Sequence, residues 1–267
     1  MAEQDITSPH NPRVKQAVRL RDRRQRNVQG RMLIDGAVEL SRAMAAGLPV
    51  EQVFACREVA HSEASRRTIE QARRTAAELL WIPPAIFEKL AFGQRSDGVL
   101  GVAAIPRASL ADLVLPALPL VAVLEGCEKP GNLGAVLRSA DGAGVSAVIV
   151  ADGRTDLYNP NAIRASLGTI FTMPVREATS AETMAWLRAR GIPMFAARVD
   201  GAVPYTAVDL RQPAALLLGS EALGLSSIWS GTGLTAIQLP MRGTADSLNV
   251  SATAAILFYE ALRQRGG

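Results

Sequence analysis

The sequence predicts an α/β protein of two domains, a larger C-terminal one on a mostly parallel sheet and a smaller N-terminal one. Three observations carry this. From Leu120 to Arg265, apolar runs of strand length alternate with helical patterns, as in a parallel sheet covered on both faces. Pro106 to Pro119 places three prolines around one short helical turn and reads as a linker. Charge divides at the same place: residues 1–107 hold 17 Lys+Arg against 12 Asp+Glu, and residues 108–267 hold 12 against 13. The predicted boundaries are therefore 1–107, a linker at 108–118, and 119–267.

Taken in order, Asn11-Pro12 opens a basic amphipathic helix with Val14, Ala17 and Val18 on one side. Asp35 is placed to cap a second helix with Ala37, Leu40 and Met44 inward, ended by Gly47 and Pro49. Val50 to Cys56 reads as a strand, Ser62 to Leu80 as a helix, Pro83-Pro84 as the start of a short helix, and Val99 to Ile105 as a buried strand. In the second domain the pattern gives strands at Leu120–Leu124, Ala147–Val150 and Met194–Val199, and helices at Leu133–Gly142, Pro160–Ile170 and Ala181–Arg190. Leu216–Leu218 and Thr235–Leu239 read as two further buried strands, each leading through small polar residues towards a helix signal. In the helix expected from Ser247, Val250, Ala254, Leu257, Phe258 and Leu262 share one face. Two such junctions side by side form a backbone-lined crevice at the carboxyl ends of the strands, where open α/β sheets bind ligands.

Composition narrows the class. Hydrophobic residues at 48% and charged residues at 20% fit a soluble globular chain. Met1–Pro12 lacks the apolar core of a signal peptide, and the run Leu113–Leu124 is broken by Pro116 and Pro119, so no membrane partner is expected. Cys56, Cys127, His10 and His61 are the only residues of their types, too few and too scattered for a zinc site or a disulfide framework. The expectation is a metal-free protein of the reducing cytoplasm. Arg13, Lys15, Arg19, Arg21, Arg23, Arg24, Arg26 and Arg31 face a single acid, Asp22. Such a cluster reads as a nucleic-acid patch or as a solvated helix face. Arginine over lysine favours RNA, because guanidinium both pairs with phosphate and stacks on bases.

Three segments carry the chemistry. Gly131-Asn132-Leu133-Gly134-Ala135-Val136-Leu137-Arg138 follows a strand and opens a helix, without the spacing of a dinucleotide fingerprint. By itself, Asn132 reads as a helix cap and Arg138 as a surface residue. The second segment is Gly219-Ser220-Glu221-Ala222-Leu223-Gly224, and the third runs from Leu239-Pro240-Met241 to Ser247-Leu248-Asn249-Val250-Ser251. Ser247 also reads as a cap of the last helix, and Glu221 as an acid in a first helical turn.

In that order the three segments resemble the motifs of the SpoU (TrmH-like) branch of the SPOUT RNA methyltransferases, over about the last 150 residues. Asn11-Pro12-Arg13-Val14-Lys15 and Gln94 to Val102 are more loosely similar to that family's N-terminal substrate-binding domain, a ribosomal-protein-like RNA binder. One departure stands out: the family often has Asp-Pro-x-Asn where this chain has Lys129-Pro130-Gly131-Asn132, preceded by Glu128. The resemblance implies methyl transfer from S-adenosylmethionine to a ribose 2′-hydroxyl, a C-terminal trefoil knot and a homodimer with shared active sites. It implies ribosomal RNA of the 23S type as substrate, for maturation or antibiotic resistance. A tRNA ribose methyltransferase and a non-catalytic RNA-binding protein on the same scaffold are the alternatives. By the same resemblance Leu218, Gly219, Leu239, Met241 and Leu248 hold the cofactor, and Asn132, Arg138, Glu221, Ser247 and Asn249 form the catalytic set. Arginine stays protonated, so Arg138 suits holding a phosphate and stabilising the developing alkoxide better than removing a proton.

Overall fold

The computed structural model describes residues 3–92, 97–231 and 233–266; Gln94, from the looser N-terminal similarity, lies outside them. The chain forms two compact units, Met1–Arg107 with Tyr158–Thr172, and Ala108–Leu157 with Met173–Gly267.

The first unit runs β1 (Glu3–Asp5), α1 (Pro12–Arg19), α2 (Arg23–Gln29), β2 (Arg31–Asp35), α3 (Ala37–Ala45), β3 (Val50–Ala55), α4 (Glu63–Arg73), β4 (Glu78–Trp81), α5 (Pro84–Leu90) and β5 (Val99–Ala104). Its sheet has the order β1-β4-β3-β5-β2; β1, β4 and β3 are parallel, and β5 runs antiparallel to β3 and β2. Asn11 caps α1 by accepting from Arg13 N at 2.9 Å, with Pro12 at the first helical position. Val14 and Ala17 of α1 thereby enter a core with Leu33, Phe54, Leu80, Phe87 and Leu100.

Three expectations are corrected in this unit. The helix expected over Ser62–Leu80 stops at Arg73, and Glu78–Trp81 is a strand between β1 and β3. Leu79 and Leu80 are wholly buried, so sheet pairing overrides the helical pattern. Asp35 does not cap α3. Its Oδ2 accepts from Phe92 N at 2.7 Å and from Arg164 Nη1 at 3.1 Å, while Asp97 Oδ2 accepts from Ala37 N at 3.1 Å. Arg26 does not belong to the exposed basic surface: it is 1% exposed, and its Nη1 donates to the carbonyls of Leu20 at 2.7 Å and Arg21 at 3.0 Å. It ties the turn between α1 and α2 from inside. Strands β1 and β2 and helix α2 were not expected from the sequence pattern.

The second unit contains β6 (Leu120–Glu125), α6 (Pro130–Gly142), β7 (Ala147–Ala151), β8 (Val175–Ala178), α8 (Ser180–Ala189), β9 (Met194–Ala197), β10 (Val203–Pro204), β11 (Ala214–Leu218), β12 (Leu234–Gln238) and α9 (Val250–Gln264); α7 (Pro160–Ala165) belongs to the first unit. Helix α7 is shorter than expected because Leu167 and Gly168 take positive φ, 52° and 79°, before a single 3₁₀ turn at Thr169–Phe171. Among the described residues the second unit holds one seven-stranded sheet, β10-β12-β9-β11-β6-β7-β8, parallel at every pairing. Strands β6, β7 and β11 are buried along their whole length, which explains their unbroken apolar sequences. No helix among the described residues is long and apolar enough to cross a membrane.

Among the described residues no helix follows β11 before β12; residues 219–231 run through turns and bends, with a Ser220–Gly224 bridge near their start. At the carboxyl end of the sheet, β6, β9, β11 and β12 thus deliver four loops to one side.

Replacing Arg26 by alanine strands two carbonyls in a closed turn, so Arg26→Ala is expected to lower stability by about 1–3 kcal/mol. Urea unfolding of both proteins measures it, with a change below a few tenths contradicting the inward role.

Candidate active site

Two cavities open among those loops. The larger, about 490 Å³, is bounded by Ala197–Asp200 at the end of β9, Leu218–Glu221 and Leu223–Leu225 after β11, and Leu239, Met241 and Asp246–Leu248 after β12. That volume suits a ligand of cofactor size. All five residues expected to hold a cofactor, Leu218, Gly219, Leu239, Met241 and Leu248, border it, as do Ser247 and Glu221. Around it Val199, Leu223, Met241 and Leu248 stay exposed, an apolar rim that a bound ring system would cover. The smaller cavity, about 200 Å³, lies against Cys127, Lys129 and Asn132 and shares Leu218–Glu221 and Val250 with the larger.

Gly219 shows why the loop after β11 takes this course. A Cβ there would sit 2.1 Å from Gly224 C and 2.3 Å from Leu225 N, so the turn folds directly over the missing side chain. Gly224 has φ 67° and closes the turn by exchanging two backbone hydrogen bonds with Ser220, at 2.9 and 3.1 Å. The turn projects Glu221 outward between the two cavities. Behind it, buried Glu125 accepts from Ser226 N, Ser226 Oγ and Ser180 Oγ, each at 2.7 Å, pinning the end of the loop to the end of β6.

Glu221 gathers the N-termini of two helices. Its Oε1 accepts from Asn132 Nδ2 at 2.8 Å and Asn249 Nδ2 at 2.5 Å; its Oε2 accepts from Lys129 Nζ. Lys129 caps α6, which places Asn132 in the first turn of that helix rather than at its cap. Asn249 caps α9: its Oδ1 accepts from Ser251 N at 2.9 Å and Ser251 Oγ at 2.6 Å. Ser247, expected as that cap, lies two residues earlier and faces the larger cavity instead. Asn249 must both accept for the helix and donate to the carboxylate, which an amide does and an aspartate cannot. Asn132 Oδ1 takes a further bond from Asn249 Nδ2 at 3.3 Å. The ion pair with Lys129 first, then the Asn132 amide, holds the Glu221 carboxyl below its ordinary range. Burial pushes the Cys127 thiol up to about 11, so at neutral pH it is no thiolate nucleophile.

Arg138 stands apart. It is exposed on α6 and borders neither cavity. By helix geometry it lies about 9 Å along the axis from Asn132 and roughly a third of a turn round. The loop Ala197–Asp200 was missed at the sequence level. There Arg198 and Asp200 pair through two bonds, at 2.8 and 3.0 Å.

In the first unit Lys15, Arg19, Arg21, Arg23 and Arg24 are exposed. Arg21 lies over the Phe92 ring at 4.7 Å and donates to the Lys89 carbonyl. Arg13 is engaged by Glu78 through bonds of 3.0 and 3.2 Å.

Comparison with known families settles the lineage. Residues 119–259, more than half of the chain, match the model described as the SpoU rRNA methylase family. The chain belongs to that family. Residues 11–101 match an MRM3-like substrate-binding domain. One relative, the 23S rRNA (uridine(2479)-2′-O)-methyltransferase of Streptomyces viridochromogenes, is 32% identical over 255 residues, 92% of this chain and 87% of that one. A crystal structure of an RNA 2′-O ribose methyltransferase superposes with a TM-score of 0.86 at 39% identity, covering 98% of this chain and 99% of that one. The SpoU methyltransferase AviRb from S. viridochromogenes, solved in complex with the cofactor AdoMet, gives 0.87 at 29% identity, covering 96% and 98%.

Because the missing Cβ of Gly219 faces backbone, Gly219→Ala is expected to unseat the Ser220–Gly224 turn and separate Glu221 from Asn132 and Asn249. A crystal structure of the variant checks this; an unmoved turn would contradict the reading.

Proposed function

We propose that this chain transfers a methyl group from S-adenosylmethionine to a ribose 2′-hydroxyl of ribosomal RNA, of the 23S type. The observation that carries this is the larger cavity, whose wall gathers the backbone of two glycine-containing loops beside the Glu221–Asn132–Asn249 cluster. Relatives named as 23S rRNA 2′-O-methyltransferases, matching nearly the whole chain, favour ribosomal over transfer RNA.

The residues present fit the cofactor. Leu218, Gly219, Leu239, Met241 and Leu248 would hold it, with loop N–H and C=O groups reading the adenine and the exposed apolar rim covering its rings. When bound, S-adenosylmethionine supplies an electrophilic methyl on a sulfonium, so the protein's task is to position the acceptor and ease loss of its proton. The Asn132 and Asn249 amides, aimed by Glu221, orient the ribose; Ser247 orders the cofactor loop. Arg138 holds a phosphate and stabilises charge developing on the 2′-oxygen.

Arg138 is exposed and borders neither cavity of its own chain, which supports a homodimer in which each Arg138 serves the partner's site. Ile256 and Tyr259, exposed on α9, and Gly142 of α6, whose added Cβ would lie 3.1 Å from the Tyr259 hydroxyl, offer a surface for that pairing. The C-terminal strands and α9 are read as a trefoil knot, a reading supported by β9 pairing with both β11 and β12. The exposed cations of α1, α2 and the turn between them, Lys15, Arg19, Arg21, Arg23 and Arg24, would meet the RNA backbone, with Arg13 at their edge; Arg26 is left out because it is buried. The compartment is the cytoplasm.

In single-turnover transfer from labelled donor, Arg138→Ala and Arg138→Lys are both expected to lose on the order of a hundredfold or more in rate with donor affinity nearly unchanged. A 2′-deoxy target should accept no label. Near-normal transfer by Arg138→Ala, or label on the deoxy target, contradicts the mechanism. Neutralising Lys15, Arg19, Arg23 and Arg24 together should flatten the salt dependence of RNA binding by about 0.7 in slope per lost phosphate contact. An unchanged slope would make the cluster a solvated face only.

A further inference from the structure

Lys129 stands at the N-cap of α6 without a side-chain capping bond, and the structure gives its side chain another use. Its ammonium meets Glu221 Oε2, while Oε1 of the same carboxylate receives both the Asn132 and Asn249 amides. A carboxylate held at one oxygen alone turns about its last bond; held at both, it presents Oε1 in one direction. An aspartate at 129 would instead face Glu221 as a like charge. Of the other acids lining the smaller cavity, Glu128 pairs with Arg154 at 2.6 Å, and Glu125 is buried among neutral serine donors. Lys129 therefore offsets the Glu221 charge that this wall would otherwise turn towards an arriving polyanion.

We propose that Lys129 is a positioning residue of the methyl transfer: it clamps Glu221 so that the Asn132 and Asn249 amides are held in register, and it cancels the charge that Glu221 would turn towards RNA. This rests on the function proposed above. The ammonium acts through Glu221 and need not touch the methyl donor. The lysine side chain is 68% exposed, so its replacement leaves the fold intact.

The depressed Glu221 carboxyl gives the test its sign. Without the ammonium that carboxyl rises towards its ordinary value, so the clamped anionic form is lost at a higher pH. The experiment compares wild type, Lys129→Met and Lys129→Arg in single-turnover transfer to a cognate rRNA fragment across pH, with donor affinity by calorimetry and Glu221 followed by carbon-13 NMR. Expected for Lys129→Met is a loss on the order of ten- to a hundredfold in transfer rate, donor affinity within twofold, and an acidic limb and Glu221 titration both displaced to higher pH. Lys129→Arg should restore most of the rate and the original titration. Wild-type rate and pH profile in Lys129→Met overturn the proposal, as does a Glu221 titration that does not move. A wild-type chain that methylates no RNA overturns the function itself, a result separable from the clamp because the NMR titration is read without RNA.

Discussion

The carboxylate of Glu221 is the joint on which the site depends. It receives the first turn of α6 through Lys129 and Asn132 and the cap of α9 through Asn249, so two helix N-termini end at one anion. The arrangement is favoured locally, since helix N-termini attract negative charge and leave unpaired N–H groups. It also has a consequence for packing. With α6 and α9 tied at their starts, the loops before them become walls of two adjoining cavities instead of independent surface turns.

The sheet makes the joint possible. Strands β6, β9, β11 and β12 are parallel and end on one side, so the loops that follow them meet without long excursions. Glycine supplies the remaining tolerance: at 219 the backbone of 224–225 passes where a side chain would stand. Buried Glu125 holds the far end of that loop through Ser226. The exposed carboxylate that organises the site is thus supported by a buried one that organises its loop.

Much of this was legible in the residues. The unbroken apolar runs of β6, β7 and β11 announced a sheet covered on both faces, and the order of the three motifs announced which loops would converge. Other parts were hidden for physical reasons. Glu78–Trp81 continues a helical pattern and becomes a strand only because β1 and β3 accept it from either side. Ser247 and Asn249 are both good helix caps, and the chain selects the second because only an amide satisfies Ser251 and Glu221 together. Arg26 shares its composition with exposed neighbours and differs only in facing the turn inside α1 and α2. The loop Ala197–Asp200 carries no motif; its place is set by β9 lying between β11 and β12. Lys129 looked like an imperfection in a motif and is, in three dimensions, a partner of its central acid.

The measurement that bears most directly on this account is a crystal structure of the chain with S-adenosylmethionine bound. The account predicts the donor in the larger cavity, between the backbone of Leu218–Gly219 and that of Leu239–Leu248, with its methyl group on the side of Glu221, Asn132 and Asn249. A donor bound elsewhere on the chain, or in that cavity with its methyl turned away from Glu221, would contradict it.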